Sequence, residues 1–186
     1  SEMCIRDRAY LIDSLKSLNE SLNGNLVIKH ESAVVAIPAL AKKYKVDSVH
    51  YASDYSQHGI DRDGEIKKSL EKLEIDFVAT GSGYAVAPGR VTKDDGTYYK
   101  VYTPFYKNWL KHGWRAPAKA PKNLPNFFGL QSSDGFPERP DVNGVKIPKA
   151  GEQAALERWK WFKKNALSEY SYNRNRPDLD GTSKLS

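Results

Sequence analysis

The sequence predicts an α/β fold in which a parallel sheet is flanked by helices. Two observations predict it. Apolar residues recur at helical spacing in several segments of the amino-terminal half, and short apolar runs of strand length lie between those segments. Helices that alternate with strands in this way are typical of a parallel sheet, because each parallel strand needs a crossover to reach the next.

The predicted elements follow one another from residue 9 onward. The predicted helices lie at residues 9–22, 34–45 and 61–73, and the predicted strands lie at residues 26–28, 48–52 and 75–79. Gly24 ends the first helix, as a glycine after the last apolar position commonly does. Because the series begins with a helix, we expect the sheet to lack its leading strand or strands. Residues 1–8 hold the only Met and the only Cys and are predicted to be a foreign or artefactual segment.

The regular alternation stops after the third predicted strand. Residues 117–147 are rich in Pro, Gly, Asn and Ser, and they are longer than a connection inside a compact domain, which predicts an interdomain linker. Pro148 and Glu152 open a further predicted helix. The predicted organisation is an incomplete α/β domain at residues 9–116, the linker, and the truncated start of a helical domain at residues 148–186.

The composition excludes several classes of protein. Hydrophobic residues make up 39% of the chain and charged residues 28%, as in soluble globular domains. No apolar run approaches the roughly 20 residues that span a bilayer. The single cysteine, Cys4, excludes an internal disulfide and any multi-cysteine metal site. We therefore predict no membrane partner and a cytoplasmic location.

Cations and aromatic side chains alternate in one part of the chain. Residues 98–133 contain Lys and Arg together with Tyr, Phe and Trp, and they contain no Asp or Glu. This interleaving suits contact with phosphates and stacking on bases, and the formal net charge of +6 is compatible with nucleic acid. An aromatic-rich surface loop has the same composition, so both interpretations stay open.

Other candidate motifs fail on their context. Gly81-Ser82-Gly83 follows a predicted strand, but the third glycine and a helix start are missing, so it is not a dinucleotide-binding loop. The four histidines show no metal-ligand spacing, and no serine lies in a nucleophile-elbow sequence. The sequence therefore predicts neither a metal site nor a catalytic residue within this chain.

Two stretches resemble a known family. Residues 99–109, Tyr-Lys-Val-Tyr-Thr-Pro-Phe-Tyr-Lys-Asn-Trp, are similar to the signature that closes the amino-terminal α/β domain of DNA photolyases and cryptochromes. Residues 174–186 end in Gly-Thr-Ser-Lys-Leu-Ser and are similar to the segment that opens the flavin site. The family has Arg where this chain has Lys184. The resemblance runs from about residue 9 to residue 186 and is to the class I bacterial photolyases.

The resemblance implies a Rossmann-like parallel sheet with flanking helices, truncated at the front. It also implies a linker and then one or two helices of an α-helical FAD-binding domain. The residues implied to contact the FAD diphosphate are Thr182, Ser183, Lys184, Leu185 and Ser186. Tyr170 matches a flavin-contacting tyrosine, and Arg174 matches a basic residue that faces DNA. Hydroxyls and backbone N–H groups at a helix start bind anions, whereas lysine lacks the planar fork of arginine for a bidentate phosphate contact.

The function implied by the resemblance is that of a fragment of a light-driven DNA-repair flavoprotein. Such a protein splits cyclobutane pyrimidine dimers by electron transfer from reduced FAD. Damaged DNA is the implied partner, and the α/β domain is implied to be the seat of a second antenna chromophore. Relatives that use a folate have an Asn-Glu-type pair just before the residues that match 99–109, and this chain has Asp94, Asp95, Gly96 and Thr97 there. The missing glutamate disfavours a folate, and a deazaflavin or no antenna stays open. We expect the fragment to be inactive alone and to self-associate through an exposed sheet edge. A cryptochrome-type blue-light signalling flavoprotein and a stand-alone nucleotide-binding α/β module are the alternatives.

Overall fold

The computed structural model describes residues 4–119 and 133–184. Within these residues the elements, in chain order, are α1 (Ile5–Ser21), α2 (Ala33–Tyr44), β1 (Ser48–Ser53), α3 (Gln57–Glu71), β2 (Asp76–Ser82), α4 (Tyr102–His112), α5 (Glu152–Asn165) and α6 (Tyr170–Asn173). They fall into two compact units. We call Lys29–Asn123 the sheet unit, and we call Ser1–Ile28 together with Leu124–Ser186 the helical unit.

The sheet unit is built on two parallel strands. β1 pairs with β2 so that Ser48 lies opposite Asp76 and Val49 lies opposite Phe77. α2 and α3 pack against each other, and α3 also packs on β2. The predicted α/β class, with a small parallel sheet and flanking helices, is therefore confirmed for the described residues.

Apolar burial holds the sheet unit together. Ile66 and Leu70 lie on one side of α3 and are 1% and 0% exposed. They form a core cluster with Ala41 and Ile75. Partly buried side chains packed against this cluster are Ala33, Val34, Ile37, Val46, Val49, Leu73 and Phe77. Fully burying one side chain of this size is worth about 1.5–3 kcal/mol, so these few contacts fix α3 on the strands.

Two local signals set the ends of the helices in this unit. The Oγ of Ser56 accepts a hydrogen bond from the N–H of Gly59 at 3.0 Å, and this cap starts α3 four residues before its predicted start. Lys45 ends α2 in the left-handed conformation, at φ 49°. The N–H groups of Lys45 and Val46 there return to carbonyls of the last helical turn.

The predicted strand at residues 26–28 is wrong. The N–H of Leu26 donates to the Oδ1 of Asn19, and the N–H of Ile28 donates to the Oγ of Ser133. The carbonyl of Ile28 accepts from the N–H of Asp134 at 2.7 Å. Because side chains and one loop amide take these backbone groups, the segment joins no strand ladder among the described residues.

The helical unit is centred on α1 and α5, which contact each other. Ala9 and Ile12 of α1 are buried, and so are Phe162 and Ala166 at the end of α5. Gly151 precedes α5 at φ 97°, and a Cβ there would lie 2.9 Å from the Cβ of Ser17 in α1. Glycine is therefore required at this approach for both its conformation and its size. α1 begins four residues before its predicted start and includes residues 5–8.

Substitution of Leu70 tests the core of the sheet unit. Leu70→Ala removes a fully buried side chain, so we expect the free energy of unfolding to fall by about 2–5 kcal/mol. Leu110→Ala is the matched control, since Leu110 in α4 is 47% exposed and its truncation should change stability by less than about 0.5 kcal/mol. Urea unfolding followed by tryptophan fluorescence measures both. Equal losses in the two variants would contradict this description of the core.

Candidate functional site

The described residues of the predicted flavin site lie at the carboxyl end of the helical unit. Tyr170 is the first residue of α6, and Arg174 follows its last residue. Thr182, Ser183 and Lys184 lie in an irregular segment that we call the 180–184 loop. Two further predicted contacts, Leu185 and Ser186, lie outside the described residues, as does the predicted helix start that would follow this loop.

One arginine of α5 holds the 180–184 loop. The Nη1 and Nη2 atoms of Arg158 donate to the two carboxylate oxygens of Asp180, at 3.0 and 2.7 Å. The same guanidinium donates from Nη2 to the carbonyl oxygen of Thr182 and, at 3.3 Å, from Nε to that of Ser183. A single side chain therefore contacts three residues of the loop.

The guanidinium of Arg158 is itself fixed in place. It lies over the ring of Trp161, one turn further along α5, at 4.1 Å from the ring centroid. Only 20% of the Arg158 side chain is exposed. A cation over an indole ring is attracted by the electron density of its face, so Trp161 restricts one face of the guanidinium.

Asp180 joins the two cations of the site. Besides Arg158 it contacts Lys184, whose Nζ lies 2.7 Å from the Asp180 Oδ1. The hydrogen bonds from Arg158 and then those from Lys184 lower the pKa of Asp180 from 3.8 to about 2. The carboxylate is therefore ionised at neutral pH and holds the Lys184 ammonium beside the loop.

The backbone of the loop has a defined orientation. The described residues contain no cis peptide, and in a trans peptide the C=O and the following N–H point in opposite directions. Because the carbonyls of Thr182 and Ser183 face Arg158, the N–H groups of Ser183 and Lys184 are directed to the other side. Lys184 is in the left-handed conformation, at φ 55°. Successive N–H groups beside a left-handed residue form the concave surfaces that bind anions.

Gly181 brings the loop against α6. Gly181 is buried, and a Cβ at this position would lie 2.5–2.8 Å from side-chain atoms of Asn173. Any side chain at position 181 would push the loop away from α6. The glycine of the Gly-Thr-Ser-Lys stretch is therefore required by close approach rather than by an unusual φ.

The other two predicted site residues lie outside this network. The Tyr170 ring packs edge-on against Phe162, with the centroids 6.0 Å apart, and is 43% exposed. Arg174 is exposed, and its N–H donates to the carbonyl of Tyr170 at 2.9 Å. The structure thus brings Thr182, Ser183 and Lys184 together and leaves the Tyr170 ring and the Arg174 side chain accessible.

Sequence reasoning missed Arg158 and Asp180. Arg158 looks like one of several cations on an amphipathic helix, and it is 22 residues away from Asp180. The only local signal is the spacing of Arg158 and Trp161, which places them on one face of α5. That spacing predicts a cation–aromatic pair, and it does not predict which loop the cation holds.

The basic and aromatic stretch of the sheet unit forms a row of rings along α4. The centroids of Tyr102 and Tyr106 are 5.6 Å apart, those of Tyr106 and Trp109 are 6.5 Å apart, and those of Trp109 and Trp114 are 4.9 Å apart. No side chain of α4 is buried. A cavity of about 410 Å³ adjoins this helix, and the side chains that line it include Tyr84, Val86, Val91, Tyr98, Tyr99, Phe105 and Trp109.

Two kinds of feature are absent from the described residues. They contain no cluster of three or more His, Cys, Asp or Glu side chains that would hold a metal ion. None of their helices is both long and apolar enough to cross a membrane. β2 ends at Ser82, and no helix directly follows Gly83 in the described residues.

Comparison with known proteins gives one consistent result. The family model described as DNA photolyase matches residues 3–125. The chain is 32% identical over 181 residues to the deoxyribodipyrimidine photo-lyase of Alkalihalophilus pseudofirmus, an alignment that covers 92% of this chain and 37% of that protein. It is 29% identical to the deoxyribodipyrimidine photo-lyase of a Synechococcus strain, with 96% and 40% covered.

Solved structures agree with the sequence matches. A bacterial class III photolyase from Agrobacterium tumefaciens superimposes with a TM-score of 0.72 at 26% identity, over 97% of this chain and 40% of that one. The Synechocystis cryptochrome shares the fold, with a TM-score of 0.71 at 22% identity, over 91% of this chain and 38% of that one. The chain belongs to the DNA photolyase family. It spans 37% to 40% of the length of the photolyases compared above.

The pKa of Asp180 tests the ionic part of the site. We expect the Asp180 carboxyl to titrate near pH 2, as measured by carbon-13 NMR of the side-chain carboxyl. Because the pKa of Asp180 is lowered from 3.8, its ion pairs contribute their full stability above about pH 3.8. That stability is lost as the pH falls through about 2. Arg158→Gln should raise the pKa, since it removes the strongest donor. An unchanged pKa in that variant would contradict the described network.

Proposed function

We propose that this chain is part of a light-driven DNA-repair flavoprotein, a deoxyribodipyrimidine photo-lyase that splits cyclobutane pyrimidine dimers. The observation that carries the proposal is the 180–184 loop of a photolyase-family chain, in which oriented amides, a hydroxyl and a cation adjoin one another. Reduced FAD, when bound, supplies the electron that splits the dimer. The 186-residue chain alone is proposed to be inactive, because it spans only 37% to 40% of the length of the photolyases that it matches.

The loop residues suit the diphosphate of FAD. The Lys184 ammonium offers a charge that attracts phosphate, and the directed N–H groups of the loop offer donors to its oxygens. Among the described residues the hydroxyl of Thr182 makes no hydrogen bond, so it is able to donate to a third oxygen. Leu185 and Ser186 are proposed to complete this contact. These donors fit a diphosphate, and a single lysine in place of the family's arginine binds it as a point charge.

Two accessible side chains are proposed to face the other ligands. Tyr170, which is 43% exposed, would contact the flavin. Arg174 is exposed on the same unit and would contact a phosphate of the damaged DNA.

A family member that acts on DNA works where the DNA is, and the free, exposed Cys4 needs no oxidising compartment. We therefore propose a cytoplasmic location.

An antenna chromophore is proposed for the sheet unit. The cavity beside α4 has a volume of about 410 Å³ and walls made mainly of aromatic and aliphatic side chains. Pockets of this size and lining commonly bind small molecules and cofactors. A deazaflavin suits the chain better than a folate, because the glutamate of a folate site is absent before residue 99. The chromophore content of the purified protein decides between a deazaflavin, a folate and no antenna.

Flavin content tests the proposed site. The protein expressed from the full reading frame that encodes this chain should contain FAD and should remove dimers from irradiated DNA under blue light. Lys184→Gln should raise the FAD dissociation constant about tenfold or more, because a charged hydrogen bond is worth roughly 1.5–3 kcal/mol. Equilibrium dialysis with flavin absorbance measures it.

The control for that experiment is Lys160→Gln. Lys160 lies on α5 and is exposed, so its loss removes the same charge without touching the loop and should leave the dissociation constant within a factor of about two. A protein without flavin would contradict the proposed function. Flavin without dimer removal would favour the signalling alternative over repair.

Self-association is proposed for the chain alone. In the described residues the sheet has two strands, so β1 and β2 each pair along one edge only. Unpaired strand edges recruit strands from other molecules. Sedimentation velocity of the 186-residue chain should therefore show oligomers whose proportion rises with concentration. A monodisperse monomer at all concentrations would contradict this proposal.

A further inference from the structure

We propose that Arg158 is the positioning residue of the diphosphate site. It does not contact the ligand, but it fixes the peptide planes of the 180–184 loop so that their N–H groups face the phosphates. This inference rests on the proposed function of the loop and adds a residue that the loop sequence does not contain. It also explains how a segment without regular secondary structure holds a defined conformation.

The guanidinium of Arg158 is used entirely on the loop. Its three nitrogens all donate to the loop, to the Asp180 carboxylate and to the carbonyls of Thr182 and Ser183. These two carbonyls are consecutive in the chain. Their peptide planes are therefore held together, and the amides that follow them are held on the opposite side. Consecutive amides on one side are what an anion requires.

Arg158 reaches the loop from a rigid base. α5 is anchored by Phe162, which is 4% exposed. Trp161 lies under the guanidinium at 4.1 Å and restricts its rotation. Because the guanidinium is fixed before the ligand binds, the free energy of binding does not have to include the entropic cost of ordering the loop. Arg158 therefore acts by reducing the cost of binding and not by adding a contact.

Arg158 is also joined to Lys184, through Asp180. Asp180 receives both nitrogens of the Arg158 fork and the Nζ of Lys184. Arg158 thus fixes the carboxylate that holds the lysine beside the loop amides. A lysine at position 158 would keep the charge next to Asp180, but its single ammonium lacks the planar fork that reaches the carboxylate and both carbonyls together. Arg158→Lys therefore separates geometry from charge.

The test uses the 186-residue chain labelled with nitrogen-15 and inorganic pyrophosphate as the probe. In the unsubstituted chain, the amide resonances of Ser183 and Lys184 should shift as pyrophosphate is added. Arg158→Lys should raise the apparent dissociation constant about tenfold, because the loop loses the charged hydrogen bonds that orient its amides. Lys160→Gln, which removes a charge from the same helix, should change it by less than about twofold.

A second readout separates positioning from simple stability. Amide hydrogen exchange at residues 181–184 should become faster in Arg158→Lys, while exchange in the α5 helix stays slow. If the lysine variant fails to fold, Trp161→Leu replaces it, since it keeps all the Arg158 hydrogen bonds and removes only the ring beneath them. That variant should weaken pyrophosphate binding by a smaller factor. Unchanged binding in a folded variant at position 158, or in Trp161→Leu when it stands in, overturns the inference.

The outcomes also separate the inference from the proposed function. If pyrophosphate shifts the loop amides equally in the unsubstituted chain and in Arg158→Lys, the diphosphate site stands and the positioning role of Arg158 is overturned. If pyrophosphate shifts no loop amide even in the unsubstituted chain, the diphosphate site fails, and the inference about Arg158 fails with it.

Discussion

The contact between Arg158 and the 180–184 loop is the interaction on which the candidate site depends. The loop contains no helix or strand among its described residues, so no ladder of backbone hydrogen bonds defines its path. A guanidinium with a planar set of donors takes the place of that ladder, because it binds one carboxylate and two consecutive carbonyls at once. Gly181 adds the second restraint, since the absence of a side chain lets the loop lie against Asn173.

The sheet unit is stabilised by a different kind of force. Its contacts come from a few apolar side chains, centred on Ile66 and Leu70, and the described buried residues of the whole chain include no polar or charged side chain. Apolar burial is not directional. It determines which faces of the helices and strands pack together, and it does little to fix the position of individual hydrogen-bond donors. The site residues accordingly belong to the helical unit, where directed hydrogen bonds and close backbone approach set their geometry.

Sequence reasoning succeeded where the signal is local. The sequence predicts α2, α3, β1 and β2, because the apolar spacing and the end signals of each element lie within a single segment. The predicted start of α3 is four residues late, since the Ser56 cap begins the helix earlier. Residues 26–28 were misassigned because their backbone partners include Ser133, which lies 105 positions away from Ile28. Arg158 was missed for the same reason. The loop residues themselves came from the family resemblance and not from any periodicity.

The substitution of lysine for the family's arginine at position 184 has a structural counterpart in this chain. An arginine supplies both charge and a planar set of donors, whereas a lysine supplies charge alone. Here the planar set lies one helix away, on Arg158, and it acts on the backbone of the loop. Lys184 is joined to it through the Asp180 carboxylate, which contacts both cations. Charge and a planar set of donors are thus supplied by two residues, which the Asp180 carboxylate joins.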